Sequence, residues 1–267
     1  MKYLFRGVIL SLTFLLAFGC ISNEKIIYLQ NLEGNTPIED GELITYEIPD
    51  YKLQYNDIID VNVQTAVEMI ENGFTMQPST SGGGSGGTQG GGDVYYRTGY
   101  TVDRDGNIRL PFVGLVKVEN MTLEEARVKI EEMLKEYVKS EIYVKVKLGG
   151  IRYAALGEFK NPGKFVVLQD RMTVFEAIAN AGDLTILAKR DEVLLIRQYP
   201  DGTRLHRINL VDRELVRSPF YFIQPNDQLY AEPMKIREIG SGENAVQSFA
   251  LLITAVSGLA LILNLIK

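Results

Sequence analysis

Residues 249–266 read FALLITAVSGLALILNLI, an almost wholly apolar run that has to be taken out of water. At about 1.5 Å per residue, a helix over this run is just long enough to cross a hydrocarbon core. Its pattern narrows the choice further. Glu243, Gln247, Ala250, Thr254, Ser257, Leu261 and Asn264 alternate at spacings of four and three, which sets them along one helical stripe. That stripe is small or polar apart from Leu261, while Phe249, Leu252, Ile253, Val256, Leu259, Leu263 and Ile266 occupy the other faces. Two arrangements satisfy the pattern. A plain anchor would pack the stripe as a seam against neighbouring helices. A ring of copies would instead keep the apolar faces in lipid and turn Gln247, Thr254, Ser257 and Asn264 to a water-filled lumen. The ring is preferred, because it accounts for Gln247, Thr254 and Asn264 together.

The opposite end carries a targeting signal over residues 1–19. Lys2 and Arg6 precede the apolar run 7–18, which is short for a span but suits the core of a secretory signal. Ala17-Phe18-Gly19 then leads into Cys20, the only cysteine, as in a bacterial lipobox. Cys20 would be acylated there and become the new N-terminus, and two or more acyl chains would hold the protein firmly. Ile21 follows, where an Asp would suggest inner-membrane retention, so the outer membrane is the expected address, with the soluble domains in the periplasm. One cysteine allows neither an intramolecular disulfide nor a cysteine-rich metal site. The formal charge of −6 argues against nucleic acid or anionic lipid as the main partner, since either calls for clustered Lys and Arg.

The length of 267 residues leaves room for two modest domains. Residues 20–45 read as an extended polar tether, with ordered structure beginning near Tyr46. The first α+β unit spans 46–149. Ile59, Val61 and Val63 alternate with Asp60 and Asn62, the period of a half-buried strand. A flexible Gly-rich loop interrupts it over 66–95; its glycines lack the Gly-Lys-Ser/Thr ending of a phosphate-binding loop. A hairpin is expected around Asp105-Gly106, from Tyr100 to Pro111. Thr122 and Glu125 form a capping box, and Leu123, Ala126, Ile130, Leu134 and Tyr137 share one helix face. The alternating run 142–148 closes the unit, and Gly149-Gly150 makes the joint.

The second unit, 150–234, opens with a strand over 151–158, turns at Asn161-Pro162-Gly163 and returns through 164–168. A second capping box, Thr173 and Glu176, starts a helix that stops at Gly182. Strands follow over 193–197, 204–210, 221–223 and 228–232, and residues 235–267 form a linker and the C-terminal helix. Two phrases recur. Met121-Thr-Leu-Glu-Glu-Ala126 matches Met172-Thr-Val-Phe-Glu-Ala177, and Leu53-Gln-Tyr-Asn-Asp57 matches Ile223-Gln-Pro-Asn-Asp227. The first pair reflects the same helix entry. The second predicts a shared turn into a strand.

These residues resemble the outer-membrane polysaccharide export family (the Wza-like, or OPX, proteins) over most of the mature chain. Tyr51-Lys-Leu-Gln-Tyr-Asn-Asp-Ile-Ile-Asp-Val61 is similar to the opening phrase of the export domain, with Asn56 where that family usually has Gly. The most specific match is Val102-Asp-Arg-Asp-Gly-Asn-Ile-Arg-Leu-Pro-Phe-Val-Gly114, followed by the capped helix. From Ile151 the chain resembles a soluble-ligand-binding β-grasp (SLBB) domain, through Leu156-Gly-Glu-Phe-Lys-Asn-Pro-Gly163 and Thr173-Val-Phe-Glu-Ala-Ile-Ala-Asn-Ala-Gly182; Asp183 stands where a second Gly is usual. The resemblance implies two small α+β domains with a C-terminal membrane helix. It also implies a homo-oligomeric ring that passes capsule or exopolysaccharide, and an inner-membrane polysaccharide co-polymerase as partner.

An enzyme is the first rival. Glycan hydrolysis needs two carboxylates facing one cleft, and Asp57, Asp60, Asp103 and Asp105 all lie at strand edges or turns, where turn formation and solubility explain them. His206, the single histidine, has no nucleophile motif and no second metal-ligating His, and reads as a solvated strand position. No catalytic residue, cofactor or metal is expected. The second rival is a membrane-anchored glycan-binding lipoprotein without a conduit, which would leave the C-terminal helix unexplained. Passing sugar calls for weak, numerous contacts, and Tyr95, Tyr96 and Tyr100 beside the Gly-rich loop are the candidates.

Overall fold

A computed structural model of the chain describes residues 23–45, 50–71 and 94–234, together with Ala250, Ile253, Thr254 and residues 256–258. Helices and sheets are mixed, giving the expected α+β class. The first half runs β1 (Ile58–Thr65), α1 (Ala66–Glu71), α2 (Val94–Thr98), β2 (Tyr100–Thr101), β3 (Asn107–Leu110), β4 (Gly114–Lys117), α3 (Leu123–Lys135) and β5 (Ile142–Leu148). Short helices therefore border the interval expected to be all loop; its Gly-rich residues lie outside the described ones.

β1 pairs antiparallel with β5 from Ile59↔Leu148 to Thr65↔Ile142, and with β2 on its other edge. This pairing puts Ile59, Val144 and Ile142 on the face that receives Ala126, Ile130 and Leu134 of α3. The helix starts where the sequence places it: the Glu125 N–H donates to Thr122 Oγ1 at 3.1 Å and the Thr122 N–H donates to Glu125 Oε2 at 2.8 Å.

The hairpin differs from expectation. The Asp-Gly turn is present, with Asp103 Oδ1 accepting from the N–H groups of Asp105 and Asn107. The strand before it, however, pairs with β1, and the hairpin forms one step later, between β3 and β4. Pro111 has no N–H to extend the ladder, and Phe112 (φ 65°) and Gly114 (φ 84°) reverse the chain within a few residues. Phe112 is thereby held in the left-handed region, which costs a bulky residue about 1–2 kcal/mol.

The second half runs β6 (Ile151–Gly157), β7 (Gly163–Val167), β8 (Met172–Thr173), α4 (Val174–Asn180), β9 (Val193–Tyr199), β10 (Gly202–Ile208), β11 (Phe222–Ile223) and β12 (Asp227–Ala231). Its five-stranded sheet has the order β10-β9-β12-β6-β7, with β12 parallel to β6 and the other pairs antiparallel. One face carries Tyr153, Ala155, Val193, Leu195, Leu229 and Ala231 against Val174, Ala177 and Ile178 of α4. The Tyr153 hydroxyl fixes that helix by donating to the Ala177 carbonyl at 2.8 Å.

Residues 23–45 are not a free tether, and this is the main correction to the sequence reading. They run over the second half as a strap. The Leu29 and Gln30 N–H groups donate to the carbonyls of Leu210 and Val211, and the Arg213 N–H returns a bond to Gln30. Tyr28 donates to Asp183 Oδ1 at 2.6 Å, its ring meets Phe175 edge-on and the Arg190 guanidinium sits 5.2 Å from the ring centroid. Burial and the Asp183 carboxylate push its phenol up to about 12. Ile38 is buried, and Arg213 binds the Ile38 carbonyl and Asp40. The segment mixes its apolar residues with polar ones without a helical or strand period, so its composition reads as tether; backbone bonds, Tyr28, Ile38 and contacts from Arg190, Arg213 and Arg217 dock it.

Gly157 has φ 82°, and a Cβ there would lie 2.2 Å from the Ala231 carbonyl oxygen, a strand neighbour that cannot move aside. Gly163, in the β6–β7 turn, has nothing within 4 Å of its Cβ position. Gly157→Ala is expected to cost about 2–3 kcal/mol in urea denaturation, whereas Gly163→Ala should stay within about 0.5 kcal/mol of wild type.

Candidate functional site

The three candidate tyrosines have unequal surroundings. Tyr95 is half-buried on α2, its Cβ near Gly149. Tyr100 pairs with Ile59 and packs against the first core; burial, then the Asp60 charge, raises its phenol above the ordinary value. Tyr96 is 73% exposed. Of the C-terminal stripe, Thr254 and Ser257 are described and exposed; Thr254 Oγ1 donates to the Ala250 carbonyl and Ser257 Oγ to the Ile253 carbonyl at 2.6 Å. Cys20, Gln247 and Asn264 lie outside the described residues, as does most of the apolar run. Among the described residues, no helix is long and apolar enough to cross a membrane.

His206 is not a solvated strand position. Its ring stacks on Phe220 at 4.2 Å, and its Nε2 lies 3.0 Å from the Tyr199 hydroxyl. Burial and the nearby Arg197 and Arg204 charges lower its pKa, so the ring is held neutral. Its hydrogen-bond partner is the Tyr199 phenol, and Asp227 lies near enough to act on its charge. Among the described residues, no cluster of three His, Cys, Asp or Glu could hold a metal ion.

The most built polar feature is one the sequence marked only as a recurring phrase. Leu53-Gln-Tyr-Asn-Asp57 and Ile223-Gln-Pro-Asn-Asp227 form the same turn twice. Asn56 (φ 71°) and Asn226 (φ 66°) both take the left-handed conformation that a type II turn needs at its third position. In each, the final Asp donates its N–H to the Gln carbonyl, at 3.1 Å in the first turn and 3.2 Å in the second. The Asp side chain then turns back to accept from the Gln N–H, at 2.8 Å and 2.7 Å. Each turn is also tied to its own helix entry, Leu53 by backbone bonds to Asn120 and Met121, and Ile223 by pairing with Met172. The two turns meet, with Asn226 Nδ2 donating to Asp57 Oδ1 at 3.3 Å. Between them runs a shallow open crease lined by Asn56, Asp57, Leu148, Arg152, Pro225 and Asn226.

The two carboxylates have different partners. Asp227 faces Arg197 in a two-point contact, Nε to Oδ1 at 3.0 Å and Nη2 to Oδ2 at 2.7 Å, with side chains only 0% and 4% exposed. Burial pushes Asp227 up and the guanidinium opposes that push; losing either member of such a pair typically costs about 3–5 kcal/mol. Asp57 is 2% exposed and receives neutral donors, the Tyr51 hydroxyl at 2.7 Å among them. Its desolvation prevails over the Gln54 N–H, the Tyr51 hydroxyl and the Arg152 charge, and the carboxyl is pushed up to about 6. Between about pH 4 and that value, the folded chain holds a proton the unfolded chain has lost. The resulting stabilisation is fully present below about pH 4 and is lost as pH rises through about 6. Urea titrations of wild type and Asp57→Asn across this range should differ by a pH-dependent amount of about 3 kcal/mol, with wild type gaining relative to the variant as pH falls.

Residues 45–148 match the model of a family described as polysaccharide biosynthesis/export protein. The match takes in the first turn, the β1–β5 sheet, the β3–β4 hairpin and the capped α3, and stops at the last residue of β5. The described geometry sets two like turns against each other, and the matched family is one of export. Residues 45–148 are thus a domain of the polysaccharide biosynthesis/export protein type, which supports a role in polysaccharide export.

Proposed function

We propose that the chain is an outer-membrane lipoprotein whose copies assemble as a ring and give capsule or exopolysaccharide a passage through the centre. The observation that carries this reading is the export domain at residues 45–148. Residues 150–234 act as the SLBB domain, an assignment supported by a five-stranded sheet with α4 packed on one face. The lipid anchor sits on Cys20, and residues 235–267 provide a linker and the membrane helix.

Two described features favour the ring over a plain anchor. Thr254 and Ser257 on the small stripe and Ile253 and Val256 on the apolar faces are all exposed in the single chain. Several helices side by side in a bilayer give each surface a fitting neighbour, lipid outside and water within. The two hydroxyls spend their protons on their own helix and keep acceptor lone pairs for lumen water. Gln247 and Asn264 extend the same stripe. Tyr96 is the foremost glycan contact, since Tyr95 and Tyr100 are half-buried. An inner-membrane polysaccharide co-polymerase delivers the chain to the periplasmic side.

Cryo-electron microscopy of the detergent-extracted full chain, beside a version ending at Gly240, tests the assembly. A closed ring with a central helical barrel, lost on truncation, is expected. A monomer in both samples would leave the anchored glycan-binding lipoprotein. In cells, the truncation should abolish surface polysaccharide. Tyr96→Ala should reduce it with a Tm change of no more than about 2 °C, whereas Tyr100→Ala should cost about 1–2 kcal/mol of stability through lost packing.

A further inference from the structure

Three arginines of the second half meet the strap. Arg213 donates from Nε to the Leu29 carbonyl at 3.0 Å, and from Nη1 to the Ile38 carbonyl at 2.7 Å and Asp40 at 3.0 Å. Arg217 donates to the Thr36 carbonyl and to Glu42. The backbone sets Arg190 beside them: its carbonyl accepts from the Leu210 N–H, while the Leu210 carbonyl accepts from Leu29 of the strap. In a chain of net charge −6, this row is not a consequence of composition. Among the described residues, Arg190 and Arg213 pair with no carboxylate of their own half. Asp183 accepts from Tyr28 and the Leu184 N–H and faces Lys160, and Asp212 accepts from the Glu214 N–H and Asn35. Only Arg217 has an acidic partner there, Glu214. Arg190 is 5% exposed and faces the Tyr28 ring; its Nη2 reaches the Leu184 carbonyl at 3.4 Å, and its Nε and Nη1 donate to nothing. A buried guanidinium is stable when an anion and acceptors answer it, and here an aromatic ring covers it instead.

We propose that the strap stands in for a ligand, and that Arg190, Arg213 and Arg217 bind a carboxylate-bearing glycan, an acidic stretch of the exported polymer, when the strap lifts. The strap shows what the row accepts: an extended chain with oxygens along its backbone and carboxylates at Asp40 and Glu42. A chain of uronic sugars repeats that arrangement, with hydroxyl and ring oxygens between carboxylates. Each carboxylate also matches the planar fork of a guanidinium, which a carbonyl or a phenol ring does not. The strap is a weak competitor. Its Asp40 side chain is 96% exposed, so that ion pair is screened by water and salt. Its Tyr28 shields Arg190 without supplying a charge. An incoming carboxylate therefore gains at Arg190 what the strap lacks. The site rests on the export reading above and names the chemistry of the polymer.

The test titrates the full-length protein in detergent with an oligogalacturonate, with maltodextrin of equal length as the neutral control, and follows amide hydrogen exchange. Oligogalacturonate is expected to bind, more weakly as salt rises, and to speed exchange of the Leu29, Gln30 and Arg213 amides at least about 10-fold. Tyr28→Ala should tighten binding at least about 10-fold, because a tethered competitor lowers apparent affinity by the fraction of chains it leaves open. In that background Arg190→Gln and Arg213→Gln should each weaken binding at least about 10-fold. Arg213 is the less buried of the two and keeps the test readable if Arg190→Gln fails to fold. Binding that leaves the three amides unchanged and is indifferent to Tyr28→Ala would overturn the strap's role. Equal binding of maltodextrin would overturn the carboxylate, and tighter binding of polyglutamate would overturn the glycan. No binding by any variant, with surface polysaccharide lost from cells that lack the chain, would overturn the site and leave the export reading standing. Surface polysaccharide retained in those cells would overturn the export reading, and with it the polymer as ligand.

Discussion

Each half of the molecule is closed by a carboxylate that bends back to the peptide N–H three residues before it. Asp57 does this for the first half and Asp227 for the second, and both are buried in doing so. A buried carboxylate without its donors is expensive, so the turn, the strand that leaves it and the helix entry beside it form together or not at all. Because the two turns touch through Asn226 and Asp57, the sheets they begin are held at one fixed seam. The exposed features, from Tyr96 to the Phe112 tip, take their positions from that seam.

The seam is asymmetric in its electrostatics. Arg197 compensates Asp227 with two charge-assisted bonds, whereas Asp57 has a phenol, a peptide and an amide. Burial raises both carboxyls; the Arg197 guanidinium opposes it at Asp227, and the Gln54 N–H, the Tyr51 hydroxyl and the Arg152 charge oppose it at Asp57.

Local signals were legible in the sequence. Both capping boxes, the Asn161-Pro162-Gly163 turn and the alternation of β5 are written within a few residues, and the structure places them accordingly, whereas in β1 Val63 is exposed and Gln64 buried, against the expected alternation. The substitutions at positions where the resembled families favour Gly also obey local physics: Asn56 and Asp183 both sit at positive φ, which short polar side chains tolerate. What could not be read were contacts between segments far apart in the chain. The strap looks like a tether because its docking depends on Arg213 and Asp183, more than a hundred residues downstream. His206 looks solvated because Phe220 comes from another segment. The recurring Gln-x-Asn-Asp phrase was visible, but no spacing rule says that its two copies should face each other.

The strap has a mechanical meaning. On the conduit reading proposed above, polymer passing the chain would drag on it, and the strap would carry the reaction. The Gln30–Asp212 bridge is parallel, and the bonds from Leu29, Gln30 and Arg213 lie side by side along it. A pull along the strap strains them simultaneously, like rivets in a lap joint, instead of parting them one after another like a zip. Tyr28, wedged between Asp183 and Arg190, blocks the first slip. The load would pass first to residues 210–213, Asp183 and Arg190, which hold the strap, and not directly to the Asp57–Asn226 seam.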